Sequence, residues 1–255
     1  MQEESDKDAV LLEQRDRVLL ITLNRPNAMN AINAAISNGL QMAVERLNTD
    51  SSLTVGVLTG AGRGFCSGMD LKAYSRGENI GPFIKFVREG SAKPLIVAVE
   101  GFALAGGLEL ALSCDLIVAS KGSKFGIPET KVGLFAAGGG LYRLPSRIGY
   151  AKAMEMALTG DSISAEEAYS LGFIVRLSEP GGAVASALEL AERVSRNAPL
   201  AVTASRDLIK LTTGLSESEF FELQNSFRER VFVSSDSKEG PRAFAEKRPP
   251  KWTGT

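Results

Sequence analysis

The chain has 255 residues, 44% hydrophobic and 23% charged, with 29 Lys and Arg against 30 Asp and Glu. That balance leaves no basic surplus for nucleic acid, and no apolar run reaches the roughly 18 residues of a membrane helix, so a soluble cytoplasmic protein is expected. Two cysteines, Cys66 and Cys114, are too few for a disulfide framework, and with no histidine at all imidazole bases, Ser-His or Cys-His couples and histidine metal ligands are excluded, leaving proton transfer to carboxylates, Lys, Tyr or water.

Residues 1–9 are acidic and polar and read as a frayed tail with neither a secretory signal nor an Arg-rich transit peptide. Two strands follow in VLLEQRDRVLLITLNRP around a polar turn at Arg15 to Arg17, then a helix from Ala31 to Leu47. Apolar strands at Thr54 to Thr59 and Leu95 to Val99 each run into a glycine-rich loop and a helix, and a third strand at Leu116 to Ala119 precedes the segment holding Glu129. Strands alternating with helices predict an α/β core. Beyond Gly138 the pattern is helical, over 141–148, 151–158, 165–171, 183–197, 200–212 and 217–232. Ser164 and Glu167 have capping-box spacing, while Pro199 and Gly214 separate the later helices. The expected division is a core over 1–198 and a helical C-terminal region over 199–255.

Two glutamates stand where a carboxylate is costly: Glu109 within GFALAGGLELALSCDLIVA and Glu129 within KFGIPETKVGL. Burial raises carboxylate pKa values, which lets one act as acid and another as base. In GAGRGFCSGMDL and GFALAGGLELAL a strand crosses a Gly-rich turn into a helix, so the amide of Met69 and the amides at Gly106 and Gly107 can face a cavity. Two converging amides make an oxyanion hole. Each feature alone has a plainer reading, as a packing turn, a salt-bridged buried acid or a helix-start glutamate after Pro128. Together, with histidine absent, they favour catalysis.

These segments resemble the crotonase family, the enoyl-CoA hydratases and isomerases, through LNRPNAMNAI, LTGAGRGFCSGMDLK, GFALAGGLELALSCDLIVAS, FGIPETKVGL, GGGLYRLPSRIG, LTGDSISAEEAYSLGFI and KEGPRAFAEKR, in that order along nearly the whole chain. The resemblance implies a spiral of ββα repeats, a helical C-terminal trimerisation region, and a homo-oligomer, either a trimer or a dimer of trimers. It implies that the Met69 and Gly106 amides hold a CoA thioester carbonyl, that Glu109 deprotonates water at the β-carbon and that Glu129 protonates the α-carbon. No metal and no separate cofactor is implied, CoA being part of the acyl-CoA substrate. Arg25 and Lys72 match family positions near the nucleotide, and Phe244 with Lys247 a pair that approaches CoA from a neighbouring subunit. The loop from Gly77 to Pro82 and the C-terminal helices are expected to line an acyl tunnel.

Three departures bear on specificity: Met69 stands where a small residue is usual, Ala136 and Ala137 lack a common proline, and Asn27 replaces a common lysine. The leading expectation is a 2-enoyl-CoA hydratase of fatty-acid or related acyl-CoA breakdown. The alternatives are a 3-enoyl-CoA isomerase using Glu129 alone and, from another class, an RNA-binding or non-catalytic relative.

Overall fold

The computed structural model describes residues 8–255. Of the tail read over 1–9, residues 1–7 lie outside the described residues. Residues 8 and 9 are not frayed: Ala9 is buried, its carbonyl accepts Asn24 N at 2.7 Å, and Asn24 Nδ2 donates to Asp8 O at 3.0 Å. The described residues fall into two compact units, one running up to Ala191 and one over Glu192–Thr255.

In the first unit, β1 (Val10–Arg15) and β2 (Val18–Leu23) form an antiparallel hairpin turning at Asp16 (φ +49°). Helix α1 (Ala34–Thr49) starts three residues later than its apolar pattern suggests. The Asn33 side chain accepts Ile36 N at 3.0 Å and caps it there, while Ile32 pairs with Met69 in an isolated bridge. The chain continues through β3 (Val55–Gly60), α2 (Leu71–Ser75), α3 (Gly81–Glu89), β4 (Leu95–Val99), β5 (Phe102–Leu104), α4 (Gly106–Ser113), β6 (Leu116–Ser120) and β7 (Lys124–Gly126). After a 3-10 turn at Pro128–Val132 come α5 (Gly140–Ile148), α6 (Tyr150–Thr159), β8 (Ile163–Ser164), α7 (Ala165–Ser170) and β9 (Arg176–Ser178), and then α8 (Ala183–Ser195), within which the division at Ala191 falls.

Six strands make one sheet in the order β1-β2-β3-β4-β6-β9, and β5-β7-β8 make a second. From β2 to β9 the large sheet is parallel. Its central strands VGVLTG and LIVAV are apolar almost throughout and buried, as strands covered on both faces must be. Successive strands visit the two sheets in turn: β4 joins the first and β5 the second, β6 the first and β7 the second. An isolated bridge between Cys66 and Ala103 brings the loop after β3 alongside β5. This winding places the segments after β3 and β4 side by side.

The second unit holds α9 (Pro199–Leu211), α10 (Glu217–Phe232) and α11 (Ser235–Ala245). A complete reciprocal capping box starts α10, Ser216 Oγ accepting Glu219 N while Ser216 N donates to Glu219 Oε2. At Ser164 only one half of the expected box forms, Glu167 N donating to Ser164 Oγ at 3.1 Å; the Glu167 carboxylate instead takes Lys152 Nζ at 2.9 Å. No helix among the described residues is long and apolar enough to cross a membrane.

Candidate active site

The loop between β3 and α2 is built for close approach. A Cβ at Gly60 would collide with the Phe65 backbone, and Gly68 sits at φ +102° with its α-carbon facing Ala105. Cys66 fastens the turn from inside, Sγ meeting Asn30 O at 3.2 Å and accepting Gly68 N at 3.4 Å. Burial pushes its thiol up to about 12, so it is an inert packing group. On either side of Met69 the chain is tied to Ile32, through Ile32 N donating to Gly68 O (2.8 Å) and Asp70 N donating to Ile32 O (3.0 Å). The Met69 N–H itself has no acceptor among the described residues.

The second loop makes an equivalent donor by strain. Ala105 sits at φ +49°, ψ −128°, a region that costs an L-residue of order 1–3 kcal/mol. Its N–H is held by Gly126 O at 2.9 Å, and the following peptide turns so that Gly106 N opens α4 without an intrahelical acceptor. A Cβ at Gly106 would lie 3.8 Å from Met69 N, and one at Gly68 3.3 Å from Gly106 N, so the two amides are neighbours. Gly107 must lack a side chain because its α-carbon presses on the Cys66 carbonyl.

Met69, Gly106, Glu109 and Glu129, drawn from three separate segments of the chain, line one cavity of about 440 Å³. Its wall is otherwise mostly apolar, with Leu71, Tyr74, Phe83, Ile84, Leu134 and Phe135 prominent. Glu109 is 5% exposed, and its Oε1 accepts Gly138 N at 2.6 Å and Gly140 N at 2.9 Å. Burial raises its pKa, offset in part by those two N–H groups and by the nearby Arg143 charge. Glu129, half-buried in the 3-10 turn, has an Oε2 with no partner within the chain. Burial raises its pKa too; its own backbone N–H works against the rise and the charge of Glu109 adds to it. Two carboxyls that disfavour charge thus share one chamber with two free amides, an arrangement suited to moving protons beside a developing oxyanion.

The remaining sequence-selected residues are placed differently. Arg25 directs Nη1 to Ala31 O at 2.7 Å and both terminal nitrogens to Asp70 Oδ2 at 3.3 Å. Burial opposes the Asp70 charge, but the Ala73 N–H and the Arg25 guanidinium outweigh it and hold that carboxyl below its usual range. Asp70 also caps α2, so Lys72 follows one turn from the Met69 amide with its own N bonded to Asp70 Oδ1 at 3.1 Å. Phe244, 87% exposed on α11, and Lys247, at φ +53° just beyond it, belong to the second unit and do not line the cavity. The lining near the expected tunnel loop comes from Phe83 and Ile84 in the first turn of α3, not from 77–82.

Sequence reasoning missed the supports of Glu109. Gly138 and Gly140 donate to it, a Cβ at Gly138 would lie 2.7 Å from Glu109 Oε2, and Arg143 reaches Gly138 O at 3.2 Å. The available signal was three consecutive glycines running into a helix. Among the described residues no cluster of three or more Cys, Asp or Glu is arranged to hold a metal ion.

Comparison with known proteins identifies the family and the fold. The family model described as enoyl-CoA hydratase/isomerase matches residues 13–255. Enoyl-CoA hydratase EchA19 of Mycobacterium tuberculosis is 42% identical over 98% of this chain and 97% of its own length. Carnitinyl-CoA dehydratase of Proteus mirabilis is 41% identical over 95% and 97%. The crystal structure of enoyl-CoA hydratase EchA1 from Mycobacterium marinum superposes with a TM-score of 0.93 at 56% identity, covering 97% of this chain and 99% of that one. The winding between two sheets is thus the crotonase fold, and the family is enzymatic. The chain belongs to the enoyl-CoA hydratase/isomerase, or crotonase, family.

Proposed function

We propose that this protein is an enoyl-CoA hydratase that adds water reversibly across the 2,3 double bond of a 2-enoyl-CoA thioester, within fatty-acid or related acyl-CoA breakdown. The observation that carries the reading is the pairing of two carboxyls of raised pKa, Glu109 and Glu129, in one chamber with the Met69 and Gly106 amides. Glu109 takes a proton from the attacking water as its oxygen bonds the β-carbon. The electron pair moves to the thioester oxygen, where the two N–H groups stabilise the enolate more than the ground-state carbonyl. Glu129 then delivers a proton to the α-carbon.

An uncharged, apolar acyl chain suits the wall. Besides the two glutamates, the one charged side chain among the lining residues is Lys131, whose ammonium is already held by Asp161 at 2.7 Å. Arg25 and Lys72 serve the nucleotide end, and Phe244 with Lys247 approach CoA across a subunit contact. Self-association, as a trimer or a dimer of trimers, is supported by the C-terminal unit, where α10 buries none of its residues and Phe221, Phe232 and Val233 are exposed.

Purified protein incubated with crotonyl-CoA and longer 2-enoyl-CoA thioesters should consume the conjugated enoyl absorbance. Longer apolar chains should be preferred to a carnitinyl-type chain. Failure at every chain length rules out the hydratase; turnover of 3-enoyl-CoA that survives Glu109→Gln replaces it with the isomerase.

A further inference from the structure

We propose that Arg143 is a positioning residue: its guanidinium clamps the segment 138–140 in the arrangement that aims the Glu109 carboxylate, and so governs water activation without touching substrate. The proposal rests on the hydratase reading for its kinetic consequences, though not for its structural ones.

The geometry is a closed circuit. Glu109 Oε1 is held by the Gly138 and Gly140 amides. The carbonyl of the same Gly138 accepts Arg143 Nη1 at 3.2 Å, and Arg143 Nη2 donates to Val87 O, in the last turn of α3, at 2.6 Å. Val87 O also meets Ser113 Oγ at 3.2 Å, and that hydroxyl lies 2.8 Å from Glu109 O. The path therefore leaves α4 through the Glu109 side chain and returns to α4 through Ser113, with Arg143 as the link between the glycine segment and α3.

Gly139, at φ +103°, makes the link possible, because a Cβ there would lie 2.5 Å from Arg143 Nη1. A guanidinium presents its donors in a planar fork that reaches two carbonyls on different elements at once, which a single ammonium does not reproduce. Arg143 is half-buried and forms no ion pair among the described residues; burial lowers its pKa while the guanidinium stays charged, and Glu109, Arg147 and Tyr142 are the titratable groups facing it. Around Glu109 the charged neighbours are Arg143 and Glu129.

The test compares Arg143→Gln and Arg143→Lys with the parent, alone and with Glu109→Gln, by steady-state hydration of crotonyl-CoA and by hydrogen–deuterium exchange across 136–142. Arg143→Gln should lower kcat by about 10²-fold, the effect of a misaimed catalytic group, with KM little changed. It should move the acidic limb of the kcat profile to higher pH and speed exchange at Gly138 and Gly140. Arg143→Lys, which keeps a cation but not the fork, should hold the acidic limb near its parental place while the two glycine amides still exchange faster. In the double variant the Arg143 change should add almost nothing to the loss caused by Glu109→Gln. Unchanged exchange at the two glycines, or losses that simply add, would overturn the proposal. If Arg143→Gln loses protection throughout β2 to β4 as well, it has unfolded and Arg143→Lys decides. Absence of turnover in the parent sinks the hydratase reading instead, and the exchange results still decide whether Arg143 holds the glycine segment.

Discussion

Glu109 in the first unit and Glu239 in the second are equally hidden, 5% and 7% exposed, yet their surroundings push them in opposite directions. Glu239 is saturated: Arg248 donates to both of its oxygens at 2.6 and 3.0 Å, Lys251 N adds a bond at 2.9 Å, and Arg242 Nη2 one at 2.6 Å. Its carboxyl is held far below the usual range, chiefly by Arg248. Glu109 receives two backbone amides on one oxygen and no direct cation, and its neighbour Glu129 has one oxygen with no partner at all. Burial alone therefore does not mark function. A buried acid ringed by guanidinium groups fastens the chain, whereas one left short of cations is poised to exchange protons.

The largest effect that would sharpen this contrast is the loss of a proton-transfer group. Glu109→Gln and Glu129→Gln should each lower kcat for crotonyl-CoA hydration by about 10²–10⁴-fold, while Glu239→Gln should lower Tm and leave the chemical step intact. A Glu239→Gln variant as inactive as Glu109→Gln would break the comparison. Next in size is Gly138→Ala. Its methyl would lie 2.7 Å from Glu109 Oε2 and 3.0 Å from the carboxyl carbon, so kcat should fall about 10²-fold with the fold retained by circular dichroism.

The smallest effects are in pH dependence, where the two acids should show opposite signs. Glu129 has a raised folded-state pKa, so the folded protein is favoured below the ordinary carboxylate pKa of about 4.3 and gives up stability as pH rises through the folded value. Thermal melts should therefore show Glu129→Gln above the parent in Tm at pH 8, the gap closing by pH 4. Glu239 is depressed, so its contribution is complete above the ordinary range and lost as pH falls through the folded value. Glu239→Gln should accordingly cost most at neutral pH and least in acid.

Much of the frame was legible in the residues. Helix α10 spans Glu217–Phe232 and β4 spans Leu95–Val99, both as their patterns predict, because each is long enough or apolar enough to show its period. The missed elements carry breakers or are too short. Helix α11 contains Gly240 and Pro241, which read against a helix, yet it is capped by Ser234 and the Trp252 ring lies against Gly240. Helix α3 opens on Gly81 and Pro82, which look like loop until Phe83, Phe86 and Val87 are seen to be buried. Strands β5 and β7 have three residues each and owe their pairing to the winding of the chain. At the site, Glu109, Glu129 and both amide-bearing loops stood out because a carboxylate or a glycine cluster is conspicuous in an apolar run. The support from Gly138, Gly140 and Arg143 did not, since a hydrogen bond spanning 29 residues leaves no local period.

The torsion of Ala105 has a kinetic meaning. A peptide unit wedged between Gly126 O and the Gly68 α-carbon has nowhere to swing, so the donor that follows it is already aimed before any ligand arrives. Capture of a rigid enolate mimic should then proceed in a single concentration-dependent phase, with no slow isomerisation afterwards, because the receptor spends no time finding its shape.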